Sequence, residues 1–364
     1  MSPKSSIARS SEAAGVWFLD SGIQEPNGGV ARYYRGDLCR NERVSNEITG
    51  YAISAYCWLY QRSAEERYLS AAKRAATLLV DRAWQPEPGI WPFEYPADTP
   101  ETALAYFFDT GIIVRGLLAL WRNTRNQKWL DAAVAGCDSL NIFRTAGDGE
   151  VFHPILQLPS LEPLPYTPQW SRGPGCYQLK SAMAWHDVAA VTGNASFSAA
   201  FARAMGSAMA TAPTFLPADT PSRTMDRLHA YCYYLEALLT NVGKPGVDGA
   251  LADGIRNVAA WLRQIRPTFE RSDVNAQLLR VRLLAAQAGA VPLNHAEAAE
   301  EAARVRAFQS TSADRHLAGG FAFGQRDGQL IPHSNPVSTS FCMQALDLWA
   351  DYQSGIPLEL ASLI

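Results

Sequence analysis

Two kinds of hydrophobic pattern alternate along the chain. In the first kind, apolar residues cover nearly all sides of a helix, as in the segment that begins at Glu47 and contains Ile53 and Trp58. In the second kind, apolar residues recur every three or four positions with charged residues between them, as from Tyr68 to Leu79. A helix that is apolar all round is buried, whereas a helix with one apolar stripe lies at the surface. The chain therefore predicts pairs of one inner and one outer helix.

This pair repeats about six times. The inner helices are predicted to begin near Glu47, Asp109, Gly175, Arg227, Asp273 and Ser338. The last inner helix, at 338–352, has no outer helix after it, but a spare amphipathic helix lies at about 5–19. If these two segments pair, six inner and six outer helices close a ring, and overlooking such a repeat would give the wrong fold. We therefore predict an all-α fold, an (α/α)6 toroid that spans residues 1–364 as a single domain.

Glycine followed by alternating aromatic residues recurs in the loops before inner helices. Four such loops begin at Gly29, Gly89, Gly149 and Gly319. This pattern is typical of short extended or hairpin pieces. We expect these β-like loops to lie on one rim of the toroid, where the inner helices begin.

Composition and charge argue against nucleic-acid-binding and membrane-spanning proteins. The 364 residues are 48% hydrophobic and carry a net charge of −3, which makes nucleic acid an unfavourable partner. No run of about 20 apolar residues occurs, so no membrane span is expected. The first residues lack the apolar stretch of a signal peptide. We interpret the six scattered cysteines as reduced core residues of a cytoplasmic protein.

No motif predicts a metal or a cofactor. The pattern Cys-x-x-Cys is absent, and so is the glycine-rich phosphate-binding pattern that ends in Gly-Lys-Ser/Thr. Asp226, His229 and Cys232 have a spacing that allows them to share one helix face, but core packing explains them better. We expect no metal, no cofactor and an unknown oligomeric state.

Three short stretches carry a resemblance to a known family. They are Glu-x-Thr-Gly-Tyr within 46–51, Phe-Asp-Thr-Gly within 107–111 and Gly-Gly-Phe within 319–323. The chain resembles the six-hairpin glycosidase superfamily, which includes unsaturated glucuronyl hydrolases, and N-acylglucosamine epimerases share the toroid. It also resembles toroid proteins found with bacterial polysaccharide-synthesis enzymes. In the glucuronyl hydrolases an Asp at an inner-helix start is the general acid, and Asp109 matches that position by pattern. The chain shows no clear match to the epimerases' histidine pair.

The inner-helix starts supply the candidate catalytic residues. The unsatisfied N–H groups of such starts favour anions. Glu47 and Asp109 stand at two starts, and two carboxyl groups across a cleft suit glycosidic cleavage. His229 follows a third start. Helix capping is the alternative for both carboxyl groups, although Ser45 is available to cap the first helix.

Aromatic and basic residues near the same rim are candidates for substrate binding, because aromatic faces stack on sugar rings. The candidates are Tyr33, Tyr34, Trp91, Tyr95, Trp170, Arg227 and Tyr231. Most aromatic residues belong to protein cores, so only part of this set is expected to line a cleft.

These observations predict a cytoplasmic carbohydrate-active protein. We expect it to be hydrolase-like and to act on an acidic oligosaccharide or a polysaccharide-related substrate. One alternative is a lyase or epimerase in which His229 or Tyr231 is the base. Another is a non-catalytic glycan-binding or scaffold protein of a polysaccharide assembly. Two carboxylates facing across an open mouth would favour the enzyme, and a mouth plugged by side chains would favour the scaffold.

Overall fold

The computed structural model describes residues 3–97, 99, 101, 103–145 and 151–364, except for the side chains of residues 3–9. Gly149, which begins one of the predicted loops, lies outside the described residues. The helices of this described part are α1 (Pro3–Asp20), α2 (Asn46–Ser63), α3 (Glu66–Leu78), α4 (Phe107–Thr124), α5 (Gln127–Ser139), α6 (Gln178–Thr192), α7 (Ala195–Thr211), α8 (Pro221–Leu238), α9 (Val247–Ile265), α10 (Ser272–Gln287), α11 (His295–Ala307) and α12 (Pro336–Gln353). Its strands are β1 (Tyr34–Arg35), β2 (Arg40–Asn41), β3 (Leu104–Tyr106), β4 (Ile155–Gln157), β5 (Glu162–Pro163), β6 (Phe269–Arg271), β7 (Gly324–Arg326), β8 (Gln329–Leu330) and β9 (His333–Ser334).

The chain divides into two compact units. Unit one comprises Met1–Ile23, Tyr33–Asn41 and Thr214–Ile364, and unit two comprises Gln24–Arg32 and Glu42–Pro213. In unit two, α2 pairs with α3, α4 with α5, and α6 with α7. In unit one, α8 pairs with α9, α10 with α11, and α12 with α1. Each unit therefore contains three helix hairpins, and the single domain over 1–364 stays a prediction.

The third hairpin of unit one joins segments that are far apart in the sequence. Helix α1 packs against α12, and Ser11 Oγ donates a hydrogen bond to Asp347 Oδ2 at 2.8 Å. Ala14 and Phe18 of α1 are fully buried. The predicted pairing of the first and last helical segments is confirmed.

Burial separates the two helix types as the hydrophobic pattern predicts. Helix α10 is buried at every residue from Ser272 to Ala285. Its neighbour α9 buries a single stripe, which includes Leu251, Ile255 and Leu262. A helix with one buried stripe leaves its other side to solvent. The alternation of fully buried and amphipathic helices is therefore confirmed.

Glycines allow the buried helices of unit two to touch along their backbones. A Cβ atom on Gly111 of α4 would lie 2.0 Å from Ser181 Oγ on α6. A Cβ atom on Gly116 would lie 2.4 Å from the carbonyl oxygen of Gly50 on α2. Only glycine fits at such separations. Both Thr-Gly pairs of the sequence motifs, at 49–50 and 110–111, thus serve helix packing.

The glycine-aromatic loops form short hairpins, as predicted. Isolated antiparallel bridges join Gln85 to Ile90 in unit two and Gln309 to Phe321 in unit one. Longer pairings build antiparallel sheets of three strands in the orders β2-β1-β9 and β6-β7-β8 in unit one and β3-β4-β5 in unit two.

Threonines tie two of these loops to the helix that follows. Thr49 Oγ1 in the first turn of α2 accepts the backbone N–H of Val30 at 3.0 Å. Thr339 Oγ1 in the first turn of α12 accepts the backbone N–H of Phe321 at 3.0 Å. The same contact therefore recurs in both units, and it fixes each loop against a helix start.

The start of α8 corrects the sequence-based boundary. The helix begins at Pro221, with Thr220 as its N-cap, rather than near Arg227. Thr220 Oγ1 accepts the N–H of Arg223 at 3.3 Å, and proline suits the first helical position because its missing N–H needs no partner there. Residues 227–231 consequently lie inside α8 and not at its start.

Cys39 is an exception to the prediction that all six cysteines are core residues. All six are free, and five are buried, but Cys39 is exposed. It lies in the turn between β1 and β2 with φ of 51°, and its thiol donates to the carbonyl oxygen of Gly36 at 3.7 Å. A turn position leaves little protein to cover this side chain.

The glycine contacts make a testable prediction for stability. Gly111→Ala should destabilise the protein by about 1–3 kcal/mol, because the added methyl group overlaps Ser181. Gly249→Ala in α9 is the matched control, since a Cβ there meets no heavy atom within 4 Å. The control should be neutral or stabilising by up to about 1 kcal/mol, the gain expected when alanine replaces a helical glycine. Urea unfolding of both variants measures this, and equal stabilities would refute the packing role of Gly111.

Candidate active site

Helix α2 has a capped first turn in which Glu47 is not the cap. Ser45 Oγ accepts the N–H of Ile48 at 3.3 Å. Asn46 is fully buried, and its Nδ2 donates to the carbonyl oxygen of Pro92 at 2.7 Å. Glu47 is the second residue of the helix, and the residue is largely but not fully buried. Capping therefore does not explain the carboxyl group of Glu47.

Asp109 carries a buried carboxyl group near the start of α4. The residue is 5% exposed, and the N-cap residue of α4, Tyr106, makes no side-chain cap. Among the described residues, Asp109 Oδ2 has no hydrogen-bond partner. Burial, together with the negative charge of Glu47, raises the pKa of Asp109 well above its usual range. The charge of Arg32 and the backbone N–H of Asp109 oppose this rise without reversing it.

Glu47 and Asp109 titrate as a pair. Burial raises the pKa of Glu47 to about 7, against the opposing charge of Arg32. Because their charges interact, ionisation of one carboxyl group disfavours ionisation of the other. Near neutral pH the pair favours one carboxylic acid and one carboxylate. General acid–base catalysis uses this combination of protonation states.

A buried glutamate holds Arg32 close enough to act on both carboxyl groups. Glu94 is 2% exposed. Its Oε1 lies 3.0 Å from Arg32 Nη1, and its Oε2 lies 2.7 Å from Arg43 Nε. The Arg32 guanidinium also lies 5.1 Å from the ring centroid of Phe93. Sequence reasoning missed Arg32 and Glu94, since neither belongs to a helix motif and their pairing joins two loops.

Tyr106 adds a phenol to the same group of residues. Its ring centroid lies 5.0 Å from that of Phe93. Burial and the charge of Asp109 raise the pKa of Tyr106 to about 12, against the charge of Arg172. The phenol therefore stays protonated near neutral pH and can donate a hydrogen bond. Its place directly before the Phe-Phe-Asp sequence of α4 was the available sequence signal.

The predicted aromatic residues of unit two differ in exposure. Trp91 is 2% exposed, its indole N–H donates to the carbonyl oxygen of Leu79 at 2.8 Å, and its ring lies 4.4 Å from that of Trp84. This placement favours a core role, so we leave Trp91 out of the proposed site. Tyr95 and Trp170 are partly exposed and stay candidates for substrate contact.

The predicted tyrosines of unit one stack on histidines. Tyr34 is 5% exposed, and its ring lies 5.0 Å from that of His316. Tyr33 is partly exposed, and its ring lies 4.9 Å from that of His333. Burial and stacking favour a structural role for Tyr34, whereas Tyr33 stays a candidate.

His229 is buried in α8 as a neutral imidazole. It is 6% exposed, and its Nδ1 lies 2.8 Å from Gln277 Oε1 and 3.6 Å from Asp273 Oδ2. Burial and the charge of Arg271 lower the pKa of His229 to about 4. A neutral ring that donates from Nδ1 fits the amide oxygen of Gln277.

Arg271 neutralises the acids around His229. Its Nη2 lies 2.7 Å from Asp273 Oδ2, and its Nη1 lies 2.9 Å from Asp226 Oδ1. Burial acts to raise the pKa of Asp273, but the charge of Arg271 outweighs it, so this pKa is lowered. Asp226 thus has an ion-pair partner. Within the described residues, no group of three His, Cys, Asp or Glu side chains is arranged to hold a metal ion.

Arg227 and Tyr231 both pack on Phe215. Arg227 Nη1 donates to the carbonyl oxygen of Phe215 at 3.0 Å, and its guanidinium lies 5.4 Å from the Phe215 ring. Tyr231 is 8% exposed and stacks on the same ring at 6.4 Å. These contacts favour a structural role in holding the segment that precedes α8.

The structure brings together two of the three predicted catalytic residues. Glu47 and Asp109 both lie in unit two, where their charges interact. His229 lies in unit one. A common cavity for all three residues stays a prediction.

Comparison with known proteins gives matches in structure only. No family model and no curated protein matches the sequence. A sugar epimerase from a ruminal bacterium has a TM-score of 0.70 at 12% identity over 97% of this chain and 99% of its own. A D-mannose isomerase has a TM-score of 0.72 at 9% identity over 97% and 98% of the two chains. The GH76A α-1,6-mannanase from Salegentibacter sp. HEL1_6 has a TM-score of 0.59 at 12% identity over 93% and 99%.

These similarities show the fold. The chain shares the fold of these structures, an α/α toroid, as its sequence pattern predicted. The similar structures are carbohydrate-active enzymes that include an epimerase, an isomerase and a hydrolase. As for membranes, none of the helices described above is long and apolar enough to cross one.

The carboxyl pair predicts how stability depends on pH. A carboxyl group with a raised pKa keeps a proton in the folded protein that the unfolded chain has already lost. The free energy of unfolding therefore decreases as pH rises from the ordinary carboxyl pKa of about 4 through the raised value, which for Glu47 is about 7. Asp109→Asn should raise the free energy of unfolding at neutral pH and flatten this decrease.

Urea unfolding at a series of pH values measures the effect. Asp131→Asn makes the same side-chain substitution at an exposed position of α5 and serves as the control. Identical pH slopes in the wild type and Asp109→Asn would contradict the raised pKa of Asp109.

Proposed function

We propose that the protein is a carbohydrate-active enzyme that cleaves glycosidic bonds with Asp109 as general acid and Glu47 as its partner. The observation that carries the proposal is the coupled pair of carboxyl groups with raised pKa near the starts of α2 and α4. Strongly shifted pKa values cluster at functional sites.

The reaction needs one proton donor and one proton acceptor. Asp109, as the carboxylic acid, donates its proton to the glycosidic oxygen while the bond from that oxygen to the anomeric carbon breaks. A water molecule forms the new bond to the anomeric carbon and gives a proton to the carboxylate of Glu47. Arg32 favours the charged form of both carboxyl groups, so it stabilises the carboxylate that Asp109 becomes.

The surrounding side chains favour an acidic oligosaccharide as substrate. Arg32 and Arg172 place positive charge near Asp109 and Tyr106, and the helix start adds unsatisfied N–H groups. The negative carboxylate of a uronate is attracted by these positive charges. Phe93 and the partly exposed Tyr106 offer aromatic surface to a sugar ring, and Tyr95 and Trp170 extend the list of candidates.

Epimerisation or isomerisation is the second candidate. Its specific support is His229, whose imidazole is neutral and therefore able to accept a proton from a sugar carbon. The similar structures include a sugar epimerase and a D-mannose isomerase. A glycan-binding protein without catalysis is the third candidate, because the aromatic residues alone would serve binding.

One assay separates the three candidates. The protein is incubated in D₂O with neutral and uronate-containing oligosaccharides, and the sugars are examined by NMR. New reducing ends without a C4–C5 double bond indicate hydrolysis, and deuterium at a ring carbon without new ends indicates epimerisation or isomerisation. Binding without either change indicates a glycan-binding protein and would reject the proposed reaction.

Asp109→Asn should lower the turnover of the hydrolysed substrate by roughly 10²–10⁴-fold, the usual contribution of a general acid. Folding should survive, since the amide keeps the size of the side chain. Glu47→Gln should cause a similar loss and remove the acidic limb of the pH–rate profile, because that limb reports protonation of the base. Asp131→Asn is the control and should keep wild-type turnover. Wild-type turnover in Asp109→Asn would rule out the assignment.

A further inference from the structure

Unit one contains a hollow between the start of α8 and the end of α9. Its volume is about 200 Å³, which suits a single small ring compound. The polar and aromatic residues that line it are Asp219, Thr220, Thr224, Trp261, Gln264 and Thr268. None of them has a part in the reaction proposed above.

Three groups that line the hollow are available to a ligand. Trp261 is partly exposed, and Gln264 and Thr268 are exposed. Among the described residues, the structure gives no hydrogen-bond partner to the indole N–H of Trp261, the side-chain amide of Gln264 or the hydroxyl of Thr268. The hollow thus presents one aromatic surface, three donor groups and two acceptor groups that no other group of the described residues uses.

Hydrogen bonds fix the walls of the hollow. Thr224 Oγ1 accepts the N–H of Ala218 at 3.1 Å and donates to the carbonyl oxygen of Ala218 at 3.3 Å. On the opposite wall, the carbonyl oxygen of Thr268 accepts the N–H of Asp327 at 2.9 Å. A site whose walls are fixed before binding loses less conformational entropy when a ligand enters.

We propose that this hollow is a binding subsite for one neutral pyranose unit of an oligosaccharide. The C–H face of a pyranose packs on an indole ring, while its hydroxyl groups match the free amide and hydroxyl groups. Asp219 forms an ion pair with Arg223 at 2.6 Å, and its exposed carboxylate accepts hydrogen bonds from sugar hydroxyls. Because the Asp219–Arg223 pair carries no net charge, it offers no net attraction to a uronate, which favours a neutral ring.

The test uses protein labelled with 5-fluorotryptophan and ¹⁹F NMR, with Trp261→Phe to assign the resonance of Trp261. Cellotriose, maltotriose and mannotriose are titrated as neutral probes, and trigalacturonate is the acidic probe. At least one neutral trisaccharide should shift the Trp261 resonance in a saturable manner. Trp261→Ala, which lacks this resonance and is therefore titrated by calorimetry, should weaken binding of that sugar about tenfold, and Gln264→Ala should weaken it less.

Two controls keep this proposal separate from the proposed reaction. Trp121→Ala removes another partly exposed tryptophan, which lies 4.7 Å from the Arg125 guanidinium in unit two, and it should leave the Trp261 shift unchanged. Asp109→Asn should also leave the shift unchanged, even if it abolishes turnover. No saturable shift of the Trp261 resonance with any neutral trisaccharide would overturn the subsite. A stronger shift with trigalacturonate would overturn the preference for a neutral ring.

Discussion

Backbone contact between buried helices is the constraint on which the candidate active site depends. Gly50, Gly111 and Gly116 remove the side chains that would otherwise separate α2, α4 and α6. Glu47 stands three residues before Gly50, and Asp109 stands two residues before Gly111. The close approach of the helices therefore brings the two carboxyl groups together. A side chain at any of these glycines would move the helices apart, and the interaction between the carboxyl groups would weaken with distance.

Several acidic side chains are buried, and most of them form ion pairs with arginines. Asp187 lies 2.9 Å from the buried Arg115, and although burial acts to raise its pKa, the arginine charge lowers it to about 2. Glu94 and Asp273 also bind arginines directly. Asp109 differs from these acids, because it is buried beside the carboxyl group of Glu47 with one oxygen unpaired and, among the described residues, has no ion-pair partner. An arrangement that costs stability without aiding packing is the expected mark of a functional group.

The sequence predicted those features of the fold that depend on a regular spacing of buried apolar residues. Alternating helix types, the pairing of α1 with α12 and the glycine hairpins all follow from apolar spacing or from glycine positions. The start of α8 was misplaced because the cap at Thr220 and Pro221 precedes the apolar pattern by more than a turn. Glu47 and Asp109 could be identified from the sequence as site candidates because they stand at helix starts. Arg32 and Glu94 could not be identified in this way, since an ion pair between two loops leaves no local pattern in the sequence.

The pairing of α1 with α12 also constrains the order in which the chain folds. Unit two is nearly continuous in sequence, so its hairpins can form from neighbouring segments. The third hairpin of unit one joins segments more than 300 residues apart, as the bond from Ser11 Oγ to Asp347 shows. Contacts of such long sequence separation form late, because closing the loop costs entropy before the contact is made. During synthesis α1 leaves the ribosome long before α12, and the face of α1 that packs on α12 stays exposed to chaperones and to other chains until α12 is made.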